Sequence, residues 1–135
     1  MKYMLDTNVC IDVMQGALPH LAARMEACYY GELLMSAITL AELEFGILAA
    51  RLEARTLRRF LLDGIREDVV VAPFDAAAAR AYAEVRLADP QRARNALDKL
   101  IAAHALSLGA VLVTNNEADF RRFSGLAVEN WTAGG

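Results

Sequence analysis

Four acids stand at places where an α/β chain could do chemistry. Asp6 closes the apolar run in MLDTN, Glu42 lies in SAITLAE, Asp98 in NALDKL and Asp119 in TNNEADF. An acid ending a buried strand must be hydrogen-bonded, paired or metal-bound to offset its desolvation. Several carboxylates sharing one crevice raise one another's pKa unless a divalent cation holds them ionised. Such a cluster implies a metal, and an all-oxygen donor set selects Mg²⁺ or Mn²⁺ over zinc. The histidines compete poorly, since His20 sits beside Pro19 and His104 lies on the apolar stripe of its helix, where a hydrogen-bonded core residue is expected.

Each acid also has an ordinary role. Thr39-x-x-Glu42 reads as a capping box, and Asn95-x-x-Asp98 as a cap followed by an acid in the first helical turn. Acids there gain about 0.3–1 kcal/mol from the helix dipole. Asp119 reads equally as a helix-start or surface acid.

The elements that must carry these residues follow from periodicity and punctuation. Residues 2–6 read as a buried strand, with Asn8 capping a helix over 9–15 that stops at Gly16. Helices are expected over 18–30, from Thr39 to Ala49, over 51–65 and over 76–88, with strands at 33–36 and 69–72 between them. Leu97, Leu100, Ile101, His104, Ala105 and Leu108 recur at amphipathic spacing before Gly109. A strand over 111–114, a short polar helix over 117–123, a last strand near 126–128 and Trp131 as a packing anchor complete the chain. Strands that are continuously apolar and alternate with helices predict a parallel sheet of about five strands covered on both faces, a three-layer α/β/α sandwich. In such a sheet, ligands bind outside the C-terminal ends of the strands, where all four acids are expected to face one crevice.

At 135 residues the chain reads as one domain over 1–135 with no linker. Apolar residues make up 56% and charged residues 23%, the balance of a packed protein rather than a disordered one. No stretch reaches the roughly 20 apolar residues of a membrane span. Asp6 and Asp12 interrupt any secretory leader, so the expected address is the cytoplasm. Cys10 and Cys28 lack metal-site spacing and read as small buried hydrophobes. The net charge of −3 is unusual for a nucleic-acid partner, but Arg51, Arg55, Arg58 and Arg59 fall at helical spacing, with further basic spots at Arg92 and Arg94 and at Arg121 and Arg122. These arginines read either as a solvated helix face or as a contact surface for RNA or a partner.

MLDTN, SAITLAEL, NALDKLIAAHALSLGA, VLVTNNEADF and the closing VENW, in that order along essentially the whole chain, strongly resemble the PIN-domain ribonuclease toxins of VapBC toxin–antitoxin modules. The resemblance implies a Mg²⁺- or Mn²⁺-dependent endoribonuclease cutting a tRNA or rRNA loop. Asp6, Glu42 and Asp98 match the family's three best-defined acids, and Asp119 a fourth. Asn116 stands where many members carry Asp. Thr7, Asn8, Thr114, Asn115 and Asn116 flank the acids as supporting residues. The resemblance further implies a VapB-type antitoxin whose tail folds onto the toxin, with apolar surface around Leu48, Leu52 and Leu62 as part of the groove. It also implies a homodimer, and operator DNA bound only through the antitoxin.

Two other readings compete. A haloacid-dehalogenase-like phosphatase also ends its first strand on Asp, but needs a second acid two places on. Here that residue is Asn8, an amide that cannot protonate a leaving group. A catalytically silent module with the same fold would act through its partner alone.

Overall fold

Successive strand residues point to opposite faces, so a strand buried on both sides must be apolar at every position. In the computed structural model, which describes residues 1–91 and 95–132, the strands are β1 (Tyr3–Leu5), β2 (Leu33–Ser36), β3 (Val70–Ala72), β4 (Val111–Val113) and β5 (Val128–Glu129). The central strands β1 and β4 meet that condition, β2 departs from it only at its last residue, Ser36, and the edge strand β5 carries Glu129. The helices are α1 (Thr7–Gln15), α2 (Pro19–Glu26), α3 (Ala37–Ala49), α4 (Leu52–Asp68), α5 (Ala76–Ala88), α6 (Ala96–Leu108) and α7 (Glu117–Phe120). All strand pairings are parallel, in the order β3-β2-β1-β4-β5. Leu5 and Val113 face one core with Val9, Leu43, Leu62 and Trp131, while their neighbours Met4 and Leu112 face the other with Ile101, Phe120 and Phe123. The expected three-layer α/β/α sandwich is present.

The strand order reverses at β1, whose neighbours β2 and β4 lead to opposite edges of the sheet. Crossovers diverge there and leave a crevice at the strand C-termini. Register places the ends of β1 and β4 side by side, Leu5 opposite Val113.

Several boundaries differ from the sequence-based expectation. Helix α2 stops at Glu26 rather than near 30, and the chain turns through Gly31 at φ 95°. Helix α3 starts at Ala37, ahead of Thr39, because Ser36 caps it as β2 ends. On α6, Leu97 is largely exposed while Lys99 is buried, the reverse of the expected stripe at those two positions. Trp131 is buried against Tyr3, ring centroids 4.9 Å apart, as an anchor for the β5 edge. Cys10 is buried as expected, Cys28 only partly, and both are free thiols. Among the described residues, no helix is long and apolar enough to cross a membrane.

Candidate active site

Asp6 follows the last residue of β1, and its N–H donates to the Val113 carbonyl at 3.0 Å, fixing it beside the end of β4. A helix cap needs extended backbone, which the strand end supplies. Asp6 (φ −72°, ψ 173°) therefore caps α1 itself, its Oδ1 accepting the Val9 N–H at 2.8 Å. The cap expected at Asn8 is not formed. Asn8 lies exposed within the first turn. Asp6 is only 4% exposed. Burial raises its pKa, hydrogen bonds from Thr114 and Val9 oppose this, and the charges of Asp98 and Asp12 raise it further.

Asp98 lies in the first turn of α6, after Asn95, which adopts a left-handed backbone (φ 52°) and makes no side-chain capping bond. The expected Asn95 cap is thus absent, and capping does not account for Asp98. Burial raises the Asp98 pKa and the charge of Asp119 raises it further, with Arg122 opposing. Asp119 accepts a hydrogen bond from Asn116 Nδ2 at 2.6 Å. Buried Thr114 accepts the Asn116 N–H at 3.0 Å, holding this turn over the end of β4. Asn115 donates to Asp12 at 3.2 Å. Asp12 is a fifth acid at this edge whose place the sequence did not signal, because it lies one and a half turns into α1 rather than at a strand end.

Glu42 is not part of a capping box. Ser36 accepts the Ile38 N–H at 3.0 Å and takes the capping role, while Thr39 is buried within the first turn, bonded to the Thr7 hydroxyl at 3.2 Å. Three residues beyond Thr39, Glu42 projects within about 60° of the same side of α3. It is half-buried, and among the described residues no hydrogen bond or ion pair engages it. The charges of Asp98 and Asp119 thus act on Asp6 and Asp98 respectively, while Glu42 lies on α3, whose first turn is tied to α1 through Thr39 and Thr7.

A divalent cation suits this donor set. Asp6 and Asp98 are partly desolvated, repel each other, and form no ion pair among the described residues. Among the described residues, no group of three His, Cys, Asp or Glu stands close enough together to hold a metal ion, so a cation here would rest on one or two carboxylates and water, as Mg²⁺ sites commonly do. His104 is no rival ligand. It is fully buried, its Nδ1 lies 2.7 Å from Ser36 Oγ, and its ring meets Phe74 edge-on at 5.2 Å. Its buried Nε2 has no hydrogen-bond partner among the described residues, and burial lowers the ring's pKa, with the Pro73 backbone and the charge of Asp75 opposing.

The arginines of α4 are engaged at home. Arg55 donates to the carbonyls of Ala50 (3.1 Å) and Leu48 (2.8 Å), and Arg58 to that of Gly46 (3.1 Å), all at the C-terminal end of α3. Arg59 makes a two-pronged pair with Glu44 at 3.0 and 2.5 Å. Arg51, at the start of α4, is exposed. Arg92 and Arg94 lie outside the described residues. Leu62 is core, whereas Leu48 and Leu52 are exposed beside Phe45 and Phe60.

The PIN domain family matches residues 3–126. The chain is similar to the tRNA(fMet)-specific endonuclease VapC of Shigella flexneri, 34% identical over 98% of this chain and 99% of that one. It is also similar to ribonuclease VapC2 of Rickettsia felis, 31% identical over 97% and 98%. Among solved structures, it resembles VapBC2 of Rickettsia felis bound to a promoter DNA fragment, at a TM-score of 0.86 and 30% identity over 97% of this chain and 99% of that one. VapBC-1 of nontypeable Haemophilus influenzae matches at a TM-score of 0.86 and 32% identity over 98% and 100%.

Proposed function

The chain belongs to the PIN-domain family and, within it, to the VapC ribonuclease toxins, and from that premise we propose that Asp6, Glu42, Asp98 and Asp119 form its metal-dependent catalytic site. The observation that carries this reading is the electrostatic chain Asp6–Asp98–Asp119 at the strand ends, acids left in mutual repulsion with burial raising the first two.

Bound Mg²⁺ or Mn²⁺ would supply a water of lowered pKa and neutralise charge on the phosphoryl oxygens. Asp6 and Asp98 would hold the ion. The Val9 N–H on Oδ1, together with the hydrogen bond from Thr114, keeps the Asp6 carboxylate oriented. Glu42 and Asp119 would orient the attacking water in line with the phosphodiester, with Asn116 steadying Asp119. Thr114 supports Asp6 and, with Thr7, Asn8 and Asn115, lines the approach. No side-chain nucleophile is required. Attack by water leaves a 5′-phosphate and a 3′-hydroxyl.

The partner is a VapB-type antitoxin, with operator DNA bound through it. Its folding tail would cover the exposed Phe45, Leu48, Leu52 and Phe60 and bring a basic group to the acids. Pairing of two such chains would also double the basic spots available to RNA. Relatives are named for cleavage of tRNA(fMet), which makes that RNA the first substrate to test. Purified chain, freed of antitoxin, is incubated with tRNA(fMet) and with total bacterial RNA plus Mg²⁺ or Mn²⁺, and new 5′ ends are mapped. Discrete, EDTA-sensitive cuts with 5′-phosphate support the reading. Cyclic phosphate ends, or cleavage unchanged by Asp6→Asn and Asp98→Asn, overturn it.

A further inference from the structure

Lys99 follows Asp98 directly and is 1% exposed. A lysine so deeply buried requires partners. Its Nζ donates to the Asp89 carbonyl at 2.9 Å and to the Gln91 carbonyl, and lies 3.5 Å from Asp89 Oδ1. The second carboxylate oxygen of Asp89 accepts from Arg122 Nη1 at 2.5 Å. Arg122 in turn donates Nε to the Asp119 carbonyl at 2.9 Å, with its guanidinium stacked over Phe123 at 4.5 Å. One carboxylate thus joins the residue beside Asp98 to the residue that grips the backbone of Asp119.

We propose that Asp89 is a positioning residue that sets the separation of Asp98 and Asp119 by clamping the first turn of α6 to α7, an inference that rests on the ribonuclease reading above. Asp98 and Asp119 repel each other and stand on elements distant in sequence, so something of opposite sign must hold them together. The Lys99–Asp89–Arg122 array does so from behind, without touching the reacting atoms. A simple fastening of the α5–α6 connection would need only the carbonyl bonds of Lys99. The reach from Asp89 through Arg122 to the Asp119 backbone is the part that such a fastening does not require.

The test titrates the full chain, free of antitoxin, with Mn²⁺ alone by calorimetry, and follows cleavage kinetics and thermal unfolding in parallel. Asp89→Asn and Arg122→Gln are each expected to weaken Mn²⁺ binding roughly tenfold, the lower end of what groups behind metal ligands contribute. They should lower kcat with little change in KM, and the double variant should lose no more than the weaker single, as members of one unit do. Glu44→Gln, which breaks an ion pair away from the acids, should change neither. Arg122 lies at the surface, so Arg122→Gln carries the test if Asp89→Asn does not fold. Unchanged Mn²⁺ affinity and kcat with only a lower unfolding midpoint, or additive losses in the double variant, would overturn the clamp. A wild-type chain that takes up no Mn²⁺ would instead overturn the nuclease reading beneath it.

Discussion

The arginines Arg55, Arg58 and Arg59 of α4 and the acids Asp6 and Asp98 at the C-terminal edge of the sheet each bring like charges together, and they are treated in opposite ways. On α4, Arg55 and Arg58 spend their donors on the final carbonyls of α3, and Arg59 meets Glu44. Helix C-termini leave unsatisfied carbonyls, so this basic run completes a helix end. At the sheet edge, Asp6 and Asp98 form no ion pair among the described residues; burial raises both pKa values, with the charge of Asp98 adding at Asp6 and that of Asp119 adding at Asp98 against a weaker opposing pull from Arg122. A charge cluster that is neutralised by its neighbours explains itself structurally. One left in repulsion costs stability, and the cost points to a ligand or a reaction.

The largest expected effect tests the unpaired side of this contrast. Asp98→Asn should reduce RNA cleavage by more than about a hundredfold, since groups merely behind metal ligands already contribute 10–100-fold, while circular dichroism shows the fold intact. Asp6→Asn should do the same, because asparagine caps a helix as well as aspartate does. Retained cleavage in both would end the contrast.

Next in size, Arg55→Ala should cost about 1–2 kcal/mol by freeing two carbonyls at the end of α3, measured by denaturant unfolding. Its cleavage rate should be unchanged, and a large fall would move Arg55 from structure to substrate binding.

A smaller effect lies in the pH dependence of the metal-free protein. For Asp6 and Asp98 the folded-state pKa lies above the ordinary value of 3.8. Their contribution to stability is therefore fully present below that value and is lost as pH rises through the raised one. Asp6→Asn should accordingly gain stability relative to wild type as pH rises, and Mn²⁺ should stabilise wild type more than the variant. Thermal midpoints across the acid range, with and without Mn²⁺, read both. The reverse trend would mean that an unseen partner holds Asp6 ionised. The smallest effect belongs to Arg59→Ala, which breaks an exposed pair and should leave cleavage unchanged and the midpoint nearly so.

Much of this was readable along the chain. Apolar strands alternating with helices predicted the parallel sandwich, and Gly16 and Gly109 ended α1 and α6 in left-handed turns as expected; the candidate acids Asp6, Glu42, Asp98 and Asp119 came from a strand end and from the first turns of helices. Local spacing misled where two residues competed for one role. Thr39-x-x-Glu42 satisfies the capping pattern, yet Ser36 reaches the cap first because β2 delivers it in extended conformation. Asn8 lost the α1 cap to Asp6 in the same way.

Sequence by itself determined the element order, the apolar central strands and the positions of the acids along the chain, because these depend on neighbours within a few residues and on the two periods of regular structure. Tertiary structure alone decided which charges found partners. That Arg58 serves the carbonyl of Gly46, that Lys99 is buried beneath Asp89, and that Asp89 also reaches Arg122 depend on distances between residues far apart in the chain. Desolvation and Coulomb energy are set by those distances and by local burial, and periodicity carries no record of either.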